Sequence, residues 1–176
     1  MKHAPAPYPD LYREYRFDEP WDGPHNRTLA GRIGEFYRRQ GLDPEGTHRT
    51  SFVAVVGSAT AWPGAAPSKK ADLSDGAGTT LLLVEMADSG IGWMEPRDLP
   101  FDAMTFHINA RDGRSPGSRI RGARVLLANG KVHELPDSFD PATLRAMLTA
   151  RSGETIAGSA DGWTVLQRTR REELPR

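Results

Sequence analysis

Two apolar runs joined by an Asn-Gly pair decide the fold of this chain, and they read Ala123-Arg124-Val125-Leu126-Leu127-Ala128-Asn129-Gly130-Lys131-Val132-His133-Glu134-Leu135. Asn-Gly is the preferred pair for a two-residue type I′ turn, because both central residues of that turn need a positive φ. The stretch therefore predicts an antiparallel hairpin with Asn129 and Gly130 at its tip.

Two further segments have the composition of buried strands. Residues 51–56 are rich in valine and end at a glycine, and residues 79–86 carry three consecutive leucines followed by a valine. Residues 91–94 are a candidate for another short strand. Residues 111–122 hold four arginines and a single isoleucine, so we expect a mobile surface loop there.

Three segments have helical signals. Apolar and aromatic residues recur at helical spacing after Pro9, and residues 24–40 form an amphipathic pattern that Gly41 ends. Asp140 and Pro141 supply an N-cap and a first helical residue for a helix that ends near Gly153. Helices that flank strands joined by short links predict an α+β fold, an antiparallel β-sheet with a few short flanking helices.

The chain has 176 residues, which is the length of one domain. We expect a flexible N-terminus over residues 1–10, a single α+β domain over residues 11–166 and a flexible charged tail over residues 167–176. Only 33 residues are Leu, Ile, Val or Phe, against 18 Gly and 14 Pro, so side chains that build a core are scarce.

Charge and cysteine content exclude several classes of protein. The 23 Lys and Arg balance 23 Asp and Glu, which argues against wholesale disorder and against the basic surface that nucleic-acid binding needs. The absence of cysteine excludes disulfides and thiol catalysis. No stretch approaches the roughly 18 apolar residues of a membrane span, and no signal peptide is evident. As written, the chain is expected in the cytoplasm.

Catalytic motifs are missing from the sequence. There is no Gly-x-Ser-x-Gly elbow, no His-Glu-x-x-His pair and no P-loop, so we predict neither an enzyme nor a cofactor. Glu85 and Asp88 lie at the end of a predicted strand, where their carboxylates are candidate ligands for a hard cation. Glu85 interrupts an apolar run, and two roles suit such a carboxylate: it anchors the backbone, or it acts as a general acid.

Three tryptophans stand in predicted loops. Trp21, Trp62 and Trp93 each lie beside proline, glycine or acidic residues. Exposed indole rings there would form a platform for a sugar or a surface for a partner. The same rings would also fill space in a core that has few aliphatic side chains, and the sequence leaves both roles open.

Several blocks of the chain resemble, in order, one bacterial family. The Glu19-Pro20-Trp21-Asp22 block and the Val84-Glu85-Met86-Ala87-Asp88 block are the most specific, and the match also draws on residues 11–26, 52–57, 72–76, 82–89, 93–99, 125–132 and 139–149. Together they resemble the domain-of-unknown-function family of prepilin-type, or pseudopilin-like, proteins known for a motif of His, nine residues and Asp-Gly. This family is also filed among solute-binding proteins.

The resemblance implies a globular head of the type IV pilin or pseudopilin kind, without the long N-terminal helix, whose relatives are exported to the cell envelope. The defining motif is eroded in this chain. Arg119 stands at the position of the histidine, Asn129 replaces the aspartate, and Gly130 is retained. Asn-Gly still supports the hairpin turn that Asp-Gly would make.

Three functions follow from these expectations. The first is a non-enzymatic, pilin-head-like interaction or scaffolding domain that binds a protein partner or a second copy of itself. The alternative is a module that binds a glycan or a small solute through the loop tryptophans. The third is a metal-assisted hydrolase that uses Glu85 or Asp88.

Overall fold

A five-stranded sheet organises the computed structural model, which describes residues 9–34, 37–64, 68–159 and 162–168. The strands of this sheet lie in the order β3-β1-β2-β4-β5, and two further strands, β6 and β7, pair only with each other. The strands are β1 (Phe52–Val56), β2 (Leu81–Glu85), β3 (Leu99–Pro100), β4 (Ala123–Leu127), β5 (Val132–Leu135), β6 (Glu154–Ser159) and β7 (Gly162–Arg168).

Short helices flank the sheet. The α-helices are α1 (Pro9–Glu14) and α2 (Pro141–Leu148), and 3-10 turns cover Asn26–Arg32, Lys70–Asp72 and Phe101–Ala103. All strand pairs within the large sheet are antiparallel except the pair of β1 with the two-residue β3, which is parallel. The fold is therefore the predicted α+β arrangement of a mostly antiparallel sheet with a few short helices.

The hydrophobic core lies on one face of the sheet. Alternation along each strand directs Val53 and Val55 of β1 to this face, and their neighbours Val84 and Val125 follow from the register. Helix α2 and the β6–β7 hairpin pack against it through buried side chains that include Leu144, Met147, Leu148 and Trp163. Among the described residues, the core buries 12 of the chain's 27 Leu, Ile and Val side chains.

Helix α2 begins where the sequence predicts. The carboxylate of Asp140 accepts a hydrogen bond from the backbone N–H of Thr143 at 2.7 Å, and Pro141 occupies the first turn. The helix ends at Leu148, before the predicted stop near Gly153, because Thr149 adopts an extended backbone at φ −87° and ψ 150°.

The central hairpin is confirmed, but its turn is not of type I′. Among the two tip residues only Gly130 has a positive φ, at 85°. Its N–H donates to the carbonyl of Leu127 at 2.9 Å, and the N–H of Leu127 donates to Lys131 at 2.9 Å. This is a three-residue loop in which glycine takes the left-handed position, a form that needs a positive φ at one residue rather than two.

The predicted helix over residues 24–40 is wrong. A 3-10 turn covers Asn26–Arg32 and ends at Ile33, whose φ of −54° and ψ of 129° are not helical. The buried side chain of Asn26 explains the difference: its amide donates to the carbonyls of Arg16 and Pro20 and so fixes the preceding loop instead of starting a helix. Residues 35 and 36 lie outside the described residues.

Two other predictions need correction. Residues 91–94 form no strand, only a single bridge from Gly92 to Arg49, and the strand that joins the sheet is Leu99–Pro100. Residues 111–122 are not simply a mobile surface loop, because Ser115 and Ser118 are buried. The N–H of Gly117 donates to the carbonyl of Glu85 at 2.8 Å, so this segment extends the backbone pairing at the end of β2.

The secondary structure reaches into the ranges predicted as flexible ends. Helix α1 begins at Pro9, and β7 continues through Arg168, two residues into the predicted tail. The β6–β7 hairpin itself was not predicted. Residues 1–8 and 169–176 lie outside the described residues.

Candidate functional site

The second face of the sheet carries a band of apolar side chains, most of which are partly or fully exposed to solvent. Alternation places Phe52, Ala54 and Val56 of β1 on this face, and the register sets Leu83 of β2 opposite Ala54. Leu126 of β4 and the exposed Val132 of β5 continue the band. We call the six residues the open face: Phe52, Ala54, Val56, Leu83, Leu126 and Val132.

A groove of about 550 Å³ runs along β1 on the open face. Its floor is apolar, and the other residues that line it are Tyr37, Trp62, Gly64 and Asp98. Ligand pockets in proteins typically span about 300–1,000 Å³ and combine an apolar lining with a few polar groups. The groove has this size and this composition.

Hydrogen bonds hold the two aromatic residues of the groove in place. The indole N–H of Trp62 donates to the carbonyl of Leu82 at 2.7 Å, although 40% of the residue is exposed. Tyr37 is 44% exposed, and its carbonyl accepts the N–H of Ser51 at 2.8 Å. The indole of Trp62 and the backbone of Tyr37 are thus tied to the sheet before any ligand arrives, which lowers the entropy lost on binding.

Asp98 is the acidic group of the groove. One oxygen of its carboxylate accepts the backbone N–H of Ala54 at 3.1 Å, so the side chain lies beside the middle of β1. The residue is exposed. Within the described part of the chain, no Lys, Arg or His forms a salt bridge with it. Asp98 therefore adds an uncompensated negative charge to an apolar groove.

The three predicted tryptophans do not form one platform. Trp62 lines the groove, whereas Trp93 is half-buried and donates its indole N–H to the carbonyl of Ala30 at 2.9 Å. The ring of Trp93 lies 5.3 Å from the ring of Tyr37 and so supports that residue. Trp21 is half-buried beside Gly92. Of the two predicted roles, a binding surface suits the exposed Trp62, and space filling suits the half-buried Trp21 and Trp93.

Glu85 is buried at one end of the open face, with 1% of the residue exposed. Both oxygens of its carboxylate lie 2.8 Å from Nη1 of Arg39, and Oε2 also accepts the backbone N–H of Arg124 at 2.9 Å. The side chain thus joins β2, β4 and the segment that follows Tyr37. Of the two predicted roles, this geometry supports the carboxylate that anchors the backbone.

Asp88 and Arg119 belong to a second ion-pair cluster next to this anchor. The guanidinium of Arg119 lies 3.2 Å from the exposed carboxylate of Asp88 and 3.5 Å from the buried carboxylate of Asp43. Asp43 in turn accepts hydrogen bonds from the N–H of Arg39 and the hydroxyl of Ser51 at 2.5 Å each. Arg119, at the position that the predicted resemblance assigns to the motif histidine, therefore connects three loops.

The other two positions of the predicted motif lie at the tip of the β4–β5 hairpin. Both Asn129 and Gly130 are exposed, and the side-chain oxygen of Asn129 accepts the N–H of Lys131 at 2.9 Å. The backbone N–H of Asn129 donates to the carbonyl of Ala77 at 2.9 Å. Asn129 thus has contacts different from those of Arg119, and its role here is to shape and dock the turn.

Sequence reasoning missed most of the groove. The alternation of Phe52, Ala54 and Val56 was a usable signal for a second apolar face, but a short apolar strand also fits burial on both faces. Tyr37 and Asp98 gave no local signal. Tyr37 reaches the groove because its carbonyl pairs with the N–H of Ser51, the residue before β1. Asp98 reaches it because the next residues form β3, which pairs with β1. Both are long-range contacts.

Clear pKa shifts occur elsewhere in the described chain. The hydroxyl of Thr105 lowers the pKa of Asp112, and the hydroxyl and N–H of Thr143 lower the pKa of Asp140. The guanidinium of Arg97 lowers the pKa of Glu95. Among the described residues, no group of three His, Asp or Glu side chains is placed to hold a metal ion.

Comparison of the chain with protein-family models, with curated proteins and with solved structures finds no match. The resemblance to prepilin-type proteins therefore stays a prediction. In the described residues, no helix has the length and apolar character needed to cross a membrane. The functional assignment depends on the chain's own residues.

Proposed function

We propose that this chain is a non-enzymatic, pilin-head-like interaction domain that binds a protein partner through the open face of its sheet. The observation that carries the proposal is the band of apolar side chains across β1, β2, β4 and β5. Val132, at the edge of that band, is 63% exposed. Contiguous exposed apolar surface on a folded domain marks an interaction site more often than an isolated exposed residue does.

The composition supports the same function. The chain has few core-forming residues, and the open face takes six apolar residues, including Phe52 and Leu83, that could have served the core. The buried Arg39–Glu85 pair and the tied Tyr37 and Trp62 keep the surface rigid. A preorganised apolar surface is suited to binding and requires little ordering when the partner arrives.

A glycan or small-solute module is the second candidate, and the exposed ring of Trp62 in the groove favours it. The rest of the groove suits this function less well, because its floor of Phe52, Ala54, Val56 and Leu83 offers no side-chain donor or acceptor for hydroxyl groups. A thermal-shift screen of the full chain against a glycan panel tests this candidate, and a saturable rise in melting temperature that Trp62→Ala abolishes would favour it over a protein partner.

Selection of peptides from a random display library on the immobilised full chain tests the interaction function. Two variants place a charge on the open face, Leu83→Asp and Val132→Asp, and Leu166→Asp is the matched control. Leu166 lies on β7 and is 64% exposed, nearly equal to the 63% of Val132. Val132→Asp is expected to fold because its side chain is mostly in solvent.

We expect peptides that bind the wild type and Leu166→Asp equally and that bind Val132→Asp and Leu83→Asp weakly or not at all. Far-ultraviolet circular dichroism confirms that each variant is folded before its binding is scored. Binding that is insensitive to Val132→Asp and Leu83→Asp, or a library that yields no specific binder, would refute the open face as the contact surface.

A further inference from the structure

We infer that the groove beside β1 receives an arginine side chain of the partner, with the guanidinium against Asp98 and the hydrocarbon stem along the apolar floor. This inference rests on the proposed function and names the chemistry that the partner presents. Three features of the groove carry it: an unpaired carboxylate, aromatic rings near both ends, and a floor without polar side chains.

The carboxylate supplies the charge. Asp98 uses one oxygen for the N–H of Ala54 at 3.1 Å, and in the described chain no hydrogen-bond donor lies on the other oxygen. An exposed aspartate with no cationic neighbour is ready to accept a hydrogen bond from a guanidinium. An acidic side chain of a partner would be repelled at the same place, so Asp98 also discriminates between partners.

The aromatic rings of the groove also favour a cationic side chain. Tyr37 is tied to Ser51 at the Phe52 end of the groove, and Trp62 forms a bridge to Val56 at the other end. The faces of such rings attract cations, arginine more often than lysine. A planar guanidinium also stacks on an aromatic ring, whereas an ammonium group is a compact and strongly hydrated charge.

The dimensions agree with a side chain that has a long apolar stem. The four-residue step from Phe52 to Val56 covers about 13 Å of extended strand, and Asp98 lies beside its midpoint at Ala54. The methylene groups of arginine cover apolar surface while the charged end stays near water. Ala54 has the smallest side chain on the floor and leaves room for the stem beside Asp98.

A pair of small probes with the same shape tests the inference. The probes are n-butylguanidinium, which reproduces the arginine side chain, and N-butylurea, its neutral isostere. Each is titrated into the ¹⁵N-labelled full chain while the indole N–H signal of Trp62 and the amide signal of Ala54 are followed. The variants are Asp98→Asn, which keeps an oxygen for the N–H of Ala54, and Asp102→Asn, another exposed aspartate, as the control.

We expect saturable shifts at Trp62 and Ala54, with n-butylguanidinium binding at least about threefold more tightly than N-butylurea. Asp98→Asn should remove the difference between the probes, and Asp102→Asn should keep it. Equal affinities, shifts that map outside the groove, or no saturable shift would each overturn the inference. The proposed function is tested separately. Peptides whose binding depends on Val132 and Leu83 but is unchanged by Asp98→Asn would support the interaction domain and contradict the arginine inference.

Discussion

Replacing Arg39 by methionine should lower the free energy of unfolding by about 3–5 kcal/mol. The guanidinium of Arg39 is the cation that faces Glu85, with Nη1 at 2.8 Å from both carboxylate oxygens, and the two side chains are 10% and 1% exposed. Without it, the backbone N–H of Arg124 at 2.9 Å is the one donor that the described residues leave to the carboxylate. A buried charge left without its partner is strongly destabilising, whereas the intact pair contributes little net stability.

The double variant Arg39→Met with Glu85→Gln separates the charge from the packing. Glutamine keeps an oxygen for the N–H of Arg124 and removes the uncompensated charge. The double variant should therefore cost only about 1–3 kcal/mol, the range for an imperfectly satisfied buried polar group. It should be more stable than Arg39→Met alone, even though it carries one more substitution.

Urea unfolding of the full chain, followed by tryptophan fluorescence and by circular dichroism, measures these energies if the two signals give coincident transitions. The pair of Arg32 and Glu14 provides a control of the same chemistry. Its atoms Nη1 and Oε2 are 2.5 Å apart, but the side chains are 40% and 47% exposed, so Arg32→Met should cost less than about 1 kcal/mol.

A loss below about 1 kcal/mol for Arg39→Met, equal to that of Arg32→Met, would refute the reasoning. It would mean that water or another donor reaches the carboxylate of Glu85 once Arg39 is gone. A double variant less stable than Arg39→Met would also contradict it, because the penalty would then lie in packing and not in the unpaired charge.

Three further predictions concern the scaffold. Asp140→Ala should lower the free energy of unfolding by about 1 kcal/mol, measured by urea unfolding at neutral pH. Hydrogen bonds from Thr143 lower the pKa of Asp140, so this contribution is full above the ordinary aspartate pKa of about 3.9 and is lost as the pH falls through the folded-state pKa. A difference between variant and wild type that stays unchanged at low pH would contradict this prediction. Leu144→Ala, fully buried in α2, should cost about 2–5 kcal/mol, and a smaller loss would mean that the core collapses around the cavity. Gly130→Ala should cost about 1–2 kcal/mol from backbone strain alone, since its φ is 85° and nothing lies within 4 Å of the added methyl group; a thermal melt that matches the wild type would refute this.

Local signals predicted the elements that form from neighbouring residues. The β4–β5 hairpin and α2 both follow from adjacent residue types: a glycine for the turn, and Asp140 before Pro141 for the helix start. The α+β class followed from the same elements. The turn type was wrong because Asn-Gly permits more than one loop length, and the choice depends on the docking of Asn129 onto Ala77.

The candidate site depended on contacts that no local pattern reveals. Residues 24–40 look helical by periodicity, but the buried amide of Asn26 holds the backbone in another form. Asp98 reaches the groove only because β3 pairs in parallel with β1. Glu85 was singled out from its position in an apolar run, yet nothing nearby indicated that Arg39, 46 positions away, is its partner.

The hydrogen bond from Ala54 to Asp98 also protects the side of β1 that β3 covers only in part. The β1 edge is paired with β3 through only two residues, Val55 and Val56, and the next outward N–H, that of Ala54, is closed by a carboxylate and not by a strand. An apolar strand with open N–H groups is a template for pairing with other chains, and natural sheets protect such edges with charged side chains. Asp98 thus keeps the most apolar strand of the sheet from adding a sixth strand from another molecule, so the same side chain that draws a partner to the groove limits self-aggregation at the edge.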